Sequence, residues 1–332
     1  MEWTPEQPFQ ALALTGGGYR GLFTAQALLA IEEHLGEPIG RRFDLVCGTS
    51  IGGIVALAVA FEVPMSRVVE VFQQFGEKIF PPYRHPTTAT GKLLDAWRHR
   101  NKPRYASAPL REAITALIPA DRTLGDALHP LAIPAVNVTT GKQQVFKTRH
   151  VEAWTRDWKF KAVDVALATA AAPTYFELAK IESNLYVDGG LFANAPDLIA
   201  THEAEHFFDV PSAALRLLSI GTTTQAYSIA SSAGRQFGIL DWMTNQRLFS
   251  VIISAQQQFV GQLVEHRLKE RYVRIDHLAA DEQARDLGLD MASPAAQATL
   301  TGLADKCVSD VLGTKLVPFL AHKPQLEIFR GQ

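Results

Sequence analysis

Two cysteines in 332 residues, Cys47 and Cys307, exclude a disulfide framework, and their separation gives neither a metal-binding nor a redox spacing. A reducing, cytoplasmic setting is expected. Charge of one sign is also lacking. The 32 Lys and Arg against 34 Asp and Glu leave a net charge of −2, so nothing global argues for a nucleic acid polymer as partner. No apolar run approaches the ~20 residues that span a bilayer. The most apolar window, Gly52 to Phe61, is about half that, so any membrane contact is expected to be peripheral. The N-terminus, MEWTPEQPFQ, has no basic region followed by an apolar stretch and does not read as a secretory signal. Internal repeats and low-complexity tracts are absent.

What is present is ordinary globular composition, 47% hydrophobic and 20% charged, enough for a sizeable core. The length fits one large α/β domain or two small ones. No linker is obvious, so one domain with insertions over 1–332 is expected. Its motif-bearing core covers about 11–222, and a helical C-terminal part about 223–332.

The first hundred residues alternate strand and helix. Ala11 to Thr15 reads as a buried strand and Leu22 to Leu35 as a helix, with Ala25, Leu28, Ile31 and Leu35 inward and Thr24, Glu32 and Glu33 toward water. Phe43 to Cys47 is a second strand, and Ile51 to Phe61 a very apolar helix. This rhythm implies parallel strands joined by crossovers. Further strands are expected at Leu131–Val138, Gln143–Thr148, Ile181–Val187, Leu215–Ile220 and Arg271–Asp276, and helices at Val163–Ala171, Pro196–His206 and Thr244–Glu270. Between them lies a basic stretch, with Lys92, Arg98, Arg100, Lys102 and Arg104 against Asp95. It reads as a solvated loop, as a patch for anionic lipid headgroups, or as a phosphate-binding surface for a nucleotide regulator.

Three glycine-bearing turns carry the chemistry. LALTGGGYRG has the Gly16-x-Gly18-x-x-Gly21 spacing of a dinucleotide cradle. That fold needs an acidic residue at the tip of the second strand, about 20 positions on. The strand ends instead at Cys47-Gly48, with Ser50 at its tip, and Glu37 falls before it begins. No Lys-Ser or Lys-Thr follows the glycines, so a phosphate-binding P-loop is excluded too. The second turn, Gly48-Thr49-Ser50-Ile51-Gly52, is a G-x-S-x-G pattern between an apolar strand and a helix. A serine there projects above the sheet, and glycines two positions away remove side chains that would collide. The third, NLYVDGGLFANAP, puts Asp188 at a strand end before Gly189 and Gly190. A serine needs a base. His202 and His206 read as solvated, and His85, His99, His129 and His150 lie in polar segments without a loop signature.

Together Gly16-Gly17-Gly18-Tyr19-Arg20-Gly21, Gly48-Thr49-Ser50-Ile51-Gly52 and Asp188-Gly189-Gly190 resemble the three signatures of the patatin-like phospholipases. Ala170 to Phe176 and Asn194-Ala195-Pro196 resemble the family as well, over roughly Leu12 to Thr222. The resemblance implies a three-layer α/β/α sandwich with a mostly parallel central sheet and helical insertions. It also implies a histidine-free dyad in which Ser50 is the nucleophile and Asp188 the general base. Glycine-loop amides would face the oxyanion, with Arg20 assisting or holding the loop, and no metal or catalytic cofactor is implied. An aspartate suits the base role only if a dry pocket raises its pKa, and Tyr186, Val187, Leu191 and Phe192 flank Asp188. Phospholipid acyl esters would be the substrate.

TGGGYRGLFTAQALLAIEE and FDLVCGTSIGGIVALA look closest to the bacterial phospholipase effectors of cyclic-oligonucleotide antiphage (CBASS) signalling, the CapV-like proteins. That resemblance implies a latent enzyme, switched on by a cyclic dinucleotide such as cyclic GMP-AMP, which then attacks the inner membrane peripherally. A constitutive housekeeping lipase or an idle nucleotide-binding scaffold are the alternatives. The helix Thr244–Glu270, with Gln256, Gln257, Gln258 and Gln262 among apolar residues, reads as an activator pocket, a homo-oligomer interface, or simply a polar-faced amphipathic helix.

Overall fold

The computed structural model describes residues 3–82, 102–223, 227–229, 231–238, 241–242, 247–278 and 286–325. Strand β1 (Phe9–Leu14) is buried on both faces, and its side chains alternate between two cores. Phe9, Ala11 and Ala13 enter one core, Leu12 and Leu14 the other. A strand buried on both sides belongs inside a sheet covered by helices above and below.

The chain continues through α1 (Gly21–Leu35), β2 (Leu45–Gly48), α2 (Ile51–Ala60), α3 (Met65–Ile79) and α4 (Ser107–Thr115). There follow β3 (Leu131–Asn137), β4 (Lys142–Lys147), α5 (Ala162–Ala170), β5 (Ala179–Ile181), β6 (Asn184–Asp188) and α6 (Gly190–Ala193). Last come α7 (Asp197–Phe207), β7 (Leu215–Ile220), α8 (Arg247–Leu268), β8 (Tyr272–Ile275) and α9 (Pro294–Leu312). Helices α1 to α5 and α9 supply the core that takes Leu12 and Leu14, while α7 and α8 cover the opposite face. This is a three-layer α/β/α sandwich.

The strand order is β5-β6-β3-β2-β1-β7-β8, with β4 also paired to β3. From β3 to β8 along this order the strands are parallel. The pairs β3–β4, β3–β6 and β5–β6 are antiparallel, so the mostly parallel sheet is mixed at one edge. Connection length is the reason. Residues 138–141 join β3 to β4, and 182–183 join β5 to β6; links that short can only reverse the chain. The single strand expected at Ile181–Val187 is therefore a hairpin, turning at Glu182 with φ 53°.

Other sequence expectations shift with packing. Thr24 is buried, not solvated, because its hydroxyl donates to Gly221 O at 2.9 Å and pins α1 to the end of β7. Glu32 is half-buried and accepts from Ile39 N and Met65 N, receiving the chain on both sides of β2. In α7, His202 and His206 are exposed, but Glu203 between them is buried, with Lys147 Nζ at 2.5 Å. Of the basic stretch, Lys92, Asp95, Arg98 and Arg100 lie outside the described residues. Its far end is not a solvated loop: Arg104 pairs with Asp290 at 3.6 Å, and Tyr105 Oη donates to the same carboxylate at 2.8 Å.

Asp44, fully buried before β2, fastens the C-terminal segment to the sheet. Its carboxylate accepts from Gln10 N (2.9 Å) and Gln325 N (3.0 Å) and bonds His322 Nε2 (2.7 Å). Stranding buried donors costs about 1–3 kcal/mol each. Asp44→Ala is therefore expected to lower unfolding free energy by roughly 3 kcal/mol or more in a urea titration, and Asp44→Asn, whose amide must face one of the two backbone donors, by about 1–3 kcal/mol.

Candidate active site

Gly48 ends β2, and α2 opens at Ile51, so Thr49 and Ser50 must turn the chain within two residues. Ser50 does so at φ 56°, ψ −127°, a conformation that costs a non-glycine residue about 1–3 kcal/mol. The turn is tight enough that a Cβ on Gly48 would run into Gly52 O, and one on Gly52 into Leu14 O. Two contacts hold the strained residue. Ser50 N donates to Thr169 Oγ1 at 2.9 Å, and Thr49 Oγ1 donates to Ala193 O at 2.6 Å.

Asp188 reaches the serine from the opposite direction. Val46 and Cys47 of β2 pair with Leu131 and Ala132, so β3 runs on for several residues beyond β2. Along that overhang β6 returns antiparallel, with Asp188 opposite Ala135, level with the turn. The expectation from parallel-sheet topology, a carboxylate at the shared ends of parallel strands, is thus met by another route. Gly189 passes so close to Pro134 O that a Cβ would clash.

The outcome is one short bond: Ser50 Oγ donates to Asp188 Oδ2 at 2.6 Å. Gly190 N donates to Oδ1 at 2.7 Å, leaving Oδ2 for the serine. Asp188 is 3% exposed. Burial lifts its pKa from 3.8 to about 6, although the bonds from Ser50 and Gly190 pull the other way. Tyr186 and Val187 are buried beside it, while Leu191 and Phe192 are half-buried.

The glycine loop lies alongside. Gly16 N donates to Asn194 O (2.9 Å), and Gly16 O accepts from Asn194 Nδ2 (3.1 Å) and Thr222 Oγ1 (3.2 Å). Gly16 is thus fully engaged. Gly17 and Gly18 donate no backbone hydrogen bond among the described residues, and Gly18 takes φ 57°. Gly21 begins α1 against Ile51. Arg20 spans the loop: Nε to Gly17 O at 3.4 Å and Nη1 to Thr223 O at 3.3 Å. Burial draws its pKa down, and Asp276 opposes that.

No histidine bonds either member of the Ser50–Asp188 pair among the described residues. His129 pairs with Glu62, and His150 is buried against Thr148. His85 and His99 lie outside those residues. The same holds for metals: no group of three or more His, Cys, Asp or Glu is gathered among the described residues.

Sequence reasoning passed over Thr169. Its hydroxyl donates to Pro134 O at 2.7 Å while accepting from Ser50 N, and its carbonyl accepts from Gly189 N at 3.3 Å. One residue of α5 therefore ties β3, the serine turn and the Asp-Gly-Gly turn together. Its signal is a threonine in the otherwise apolar end of α5, just before Ala170. Among the glutamines of α8, Gln256 reaches the site: its Oε1 accepts from Asn194 N at 2.6 Å.

A serine on a strained strand-to-helix turn, bonded to a desolvated carboxylate in an α/β sandwich, defines a serine-hydrolase type of site. Residues 12–201 match the family model described as patatin-like phospholipase. The chain is 40% identical to a cGAMP-activated phospholipase of Pseudomonas aeruginosa, across 97% of this chain and 94% of that one. It is 36% identical to a protein of that name from Escherichia coli, covering 86% of this chain and 84% of that one. A Vibrio cholerae protein, also so named, is 34% identical over 87% of each. This chain belongs to the patatin-like phospholipase family.

The raised pKa of Asp188 has a stability consequence. Between pH 3.8 and about 6 the folded state holds this proton more tightly than the unfolded chain, so stability falls as pH rises through that window. Asp188→Asn is expected to be more stable than the parent at pH 8, by up to about 3 kcal/mol, and no more stable at pH 4. Urea titrations at the two pH values check this.

Proposed function

We propose that this protein hydrolyses acyl esters of membrane phospholipids by a Ser50–Asp188 dyad and is switched on by a cyclic dinucleotide such as cyclic GMP-AMP. The 2.6 Å bond from Ser50 Oγ to a buried carboxylate of raised pKa carries the catalytic part. The names of the three relatives support the activator and the lipid substrate. The expected site of action is the cytoplasmic face of the inner membrane, reached peripherally, as an antiphage effector. No helix among the described residues is long and apolar enough to cross a membrane.

In this reading Ser50 Oγ attacks the ester carbonyl while its proton passes to Asp188 Oδ2. The unoccupied N–H groups of Gly17 and Gly18, with that of Ile51 at the start of α2, face the oxyanion. Asp188 returns the proton to the departing lysolipid alkoxide, leaving an acyl-enzyme. It then takes a proton from water as that water attacks the acyl carbonyl; the bond from Ser50 Oγ to the acyl carbon breaks, Oγ recovers the proton from Asp188, and the fatty acid leaves. A carboxyl with pKa about 6 is ionised at neutral pH yet basic enough to work. Gly16 and Gly21 anchor the loop at its two ends, Gly48 and Gly52 admit the elbow, and Arg20 holds the loop against β7. Gly189 and Gly190 bring Asp188 into register.

Fatty-acid release from phosphatidylglycerol and phosphatidylethanolamine vesicles, with and without a panel of cyclic dinucleotides, tests this. Ser50→Ala is expected to lower kcat by about 10³-fold or more and Asp188→Asn by about 10²–10⁴-fold. In the parent, kcat/KM should fall below about pH 6 as Asp188 takes up its proton. Undiminished hydrolysis by Ser50→Ala rejects the dyad. Equal rates across the panel point to a constitutive lipase, and nucleotide binding without hydrolysis to an idle scaffold.

A further inference from the structure

Helix α8 buries one face and leaves the other unpartnered among the described residues. Val260, Val264 and Leu268 enter the core against α7. On the outer face Leu248, Ile252, Phe259 and Leu263 are exposed, Phe259 at 60%. From Leu248 through Val264 the helix carries no charged residue, which is unusual for a solvated face. At 100° per residue the four exposed side chains fall within one narrow stripe, with exposed Ala255 beside it.

Two occupants could cover such a stripe, a lipid surface or another protein, and direction separates them. Gln256 of α8 bonds Asn194 near the glycine loop, whereas Arg271, just past the helix, bonds Leu215 O at 3.1 Å at the start of β7. The helix therefore runs from the carboxyl ends of the parallel strands toward their amino ends. Its stripe is about 22 Å long, with Leu248 and Ile252 on the carboxyl-end side of Gln256 and Phe259 and Leu263 on the flank below it. A bilayer presented to Ser50 lies across the carboxyl ends and does not cover Phe259 and Leu263.

The stripe is also self-complementary. Leu248 and Leu263, like Ile252 and Phe259, are equidistant from a point between Ala255 and Gln256. In an antiparallel pair of identical helices, Leu248 meets Leu263 of the second copy and Ile252 meets Phe259. Ala255, small and exposed, lies at the two-fold axis, where backbones approach most closely. Lipid headgroups of negative charge would call for cations along the face, and between Leu248 and Val264 there are none.

We propose that the outer face of α8 is a self-association surface through which two copies of this chain pair as antiparallel helices about Ala255. The pairing does not depend on whether Ser50 is the nucleophile. The two-fold axis passes beside Gln256, one hydrogen bond from Asn194 and two from Gly16, so the interface adjoins the site. A face this narrow belongs with interfaces below about 1,200 Å², which associate weakly, in the micromolar range.

Sedimentation velocity on the full chain from about 1 to about 200 μM should show monomer passing to dimer. Phe259→Glu and Ile252→Glu should each raise Kd about 30-fold or more while leaving the thermal melt unchanged. In a background with Cys307 replaced by Ser, Ala255→Cys should form an interchain disulfide on mild oxidation far faster than His266→Cys. A parent that stays monomeric overturns the proposal, as does a dimer indifferent to Phe259→Glu, or equal cross-linking at positions 255 and 266. If Phe259→Glu leaves the mass unchanged but releases the protein from phosphatidylglycerol vesicles, the face is a lipid surface and the proposal fails.

Discussion

The bond between Ser50 and Asp188 exists because β3 is longer than β2. Where β2 stops, its chain must turn into α2, and the serine is left at the sheet's upper edge. The extra length of β3 gives β6 something to pair with at that height. β6 comes back antiparallel and stops with Asp188 at the serine. In this structure it is the antiparallel corner of the sheet that brings the aspartate to the serine.

That geometry stores strain and desolvation, and the surrounding structure offsets both. Ser50 sits in a conformation few side chains adopt, and Asp188 is a carboxylate almost without water. Thr169 answers for the first by accepting from Ser50 N while anchored on β3. Gly190 and Ser50 answer in part for the second, by donating one bond to each carboxylate oxygen. In the proposed mechanism the residual upward pull on the pKa is the chemically useful part, because a fully solvated aspartate is too weak a base. Packing that leaves the pair slightly unfavourable is therefore consistent with a reactive group rather than a structural one.

The site is also wired outward. Asn194 bonds the glycine loop through two atoms, its O and Nδ2 to Gly16, and donates its N–H to Gln256 of α8. On the other side, Leu289 O accepts from Tyr19 N at 2.7 Å, and neighbouring Asp290 is held by Arg104 and Tyr105. Distant segments thus bear on the loop whose amides adjoin the serine. A change in how α8 or the segment around Leu289 sits has a short physical route to the site.

Much of this was legible in the residues. Three glycine turns in order, with an apolar strand before each of the serine and aspartate motifs, singled out Ser50 and Asp188, and the resemblance of those turns to the patatin-like phospholipases implied acyl transfer between them. Glycine patterns are readable because close backbone approach tolerates no side chain. Other features depended on partners far away in sequence. Thr24 looks solvated until Gly221 is beside it, and Glu203 until Lys147 is. Thr169 is an unremarkable helix residue until β3 and two turns converge on its hydroxyl. The direction of β6 followed from the two-residue link at 182–183, inside a stretch that reads as one strand. Sequence alone determined which side chains could do chemistry, since that depends on residue type and local backbone. Only the tertiary structure decided how they meet, because strand lengths, chain reversal and burial are set by contacts between segments that local pattern does not encode.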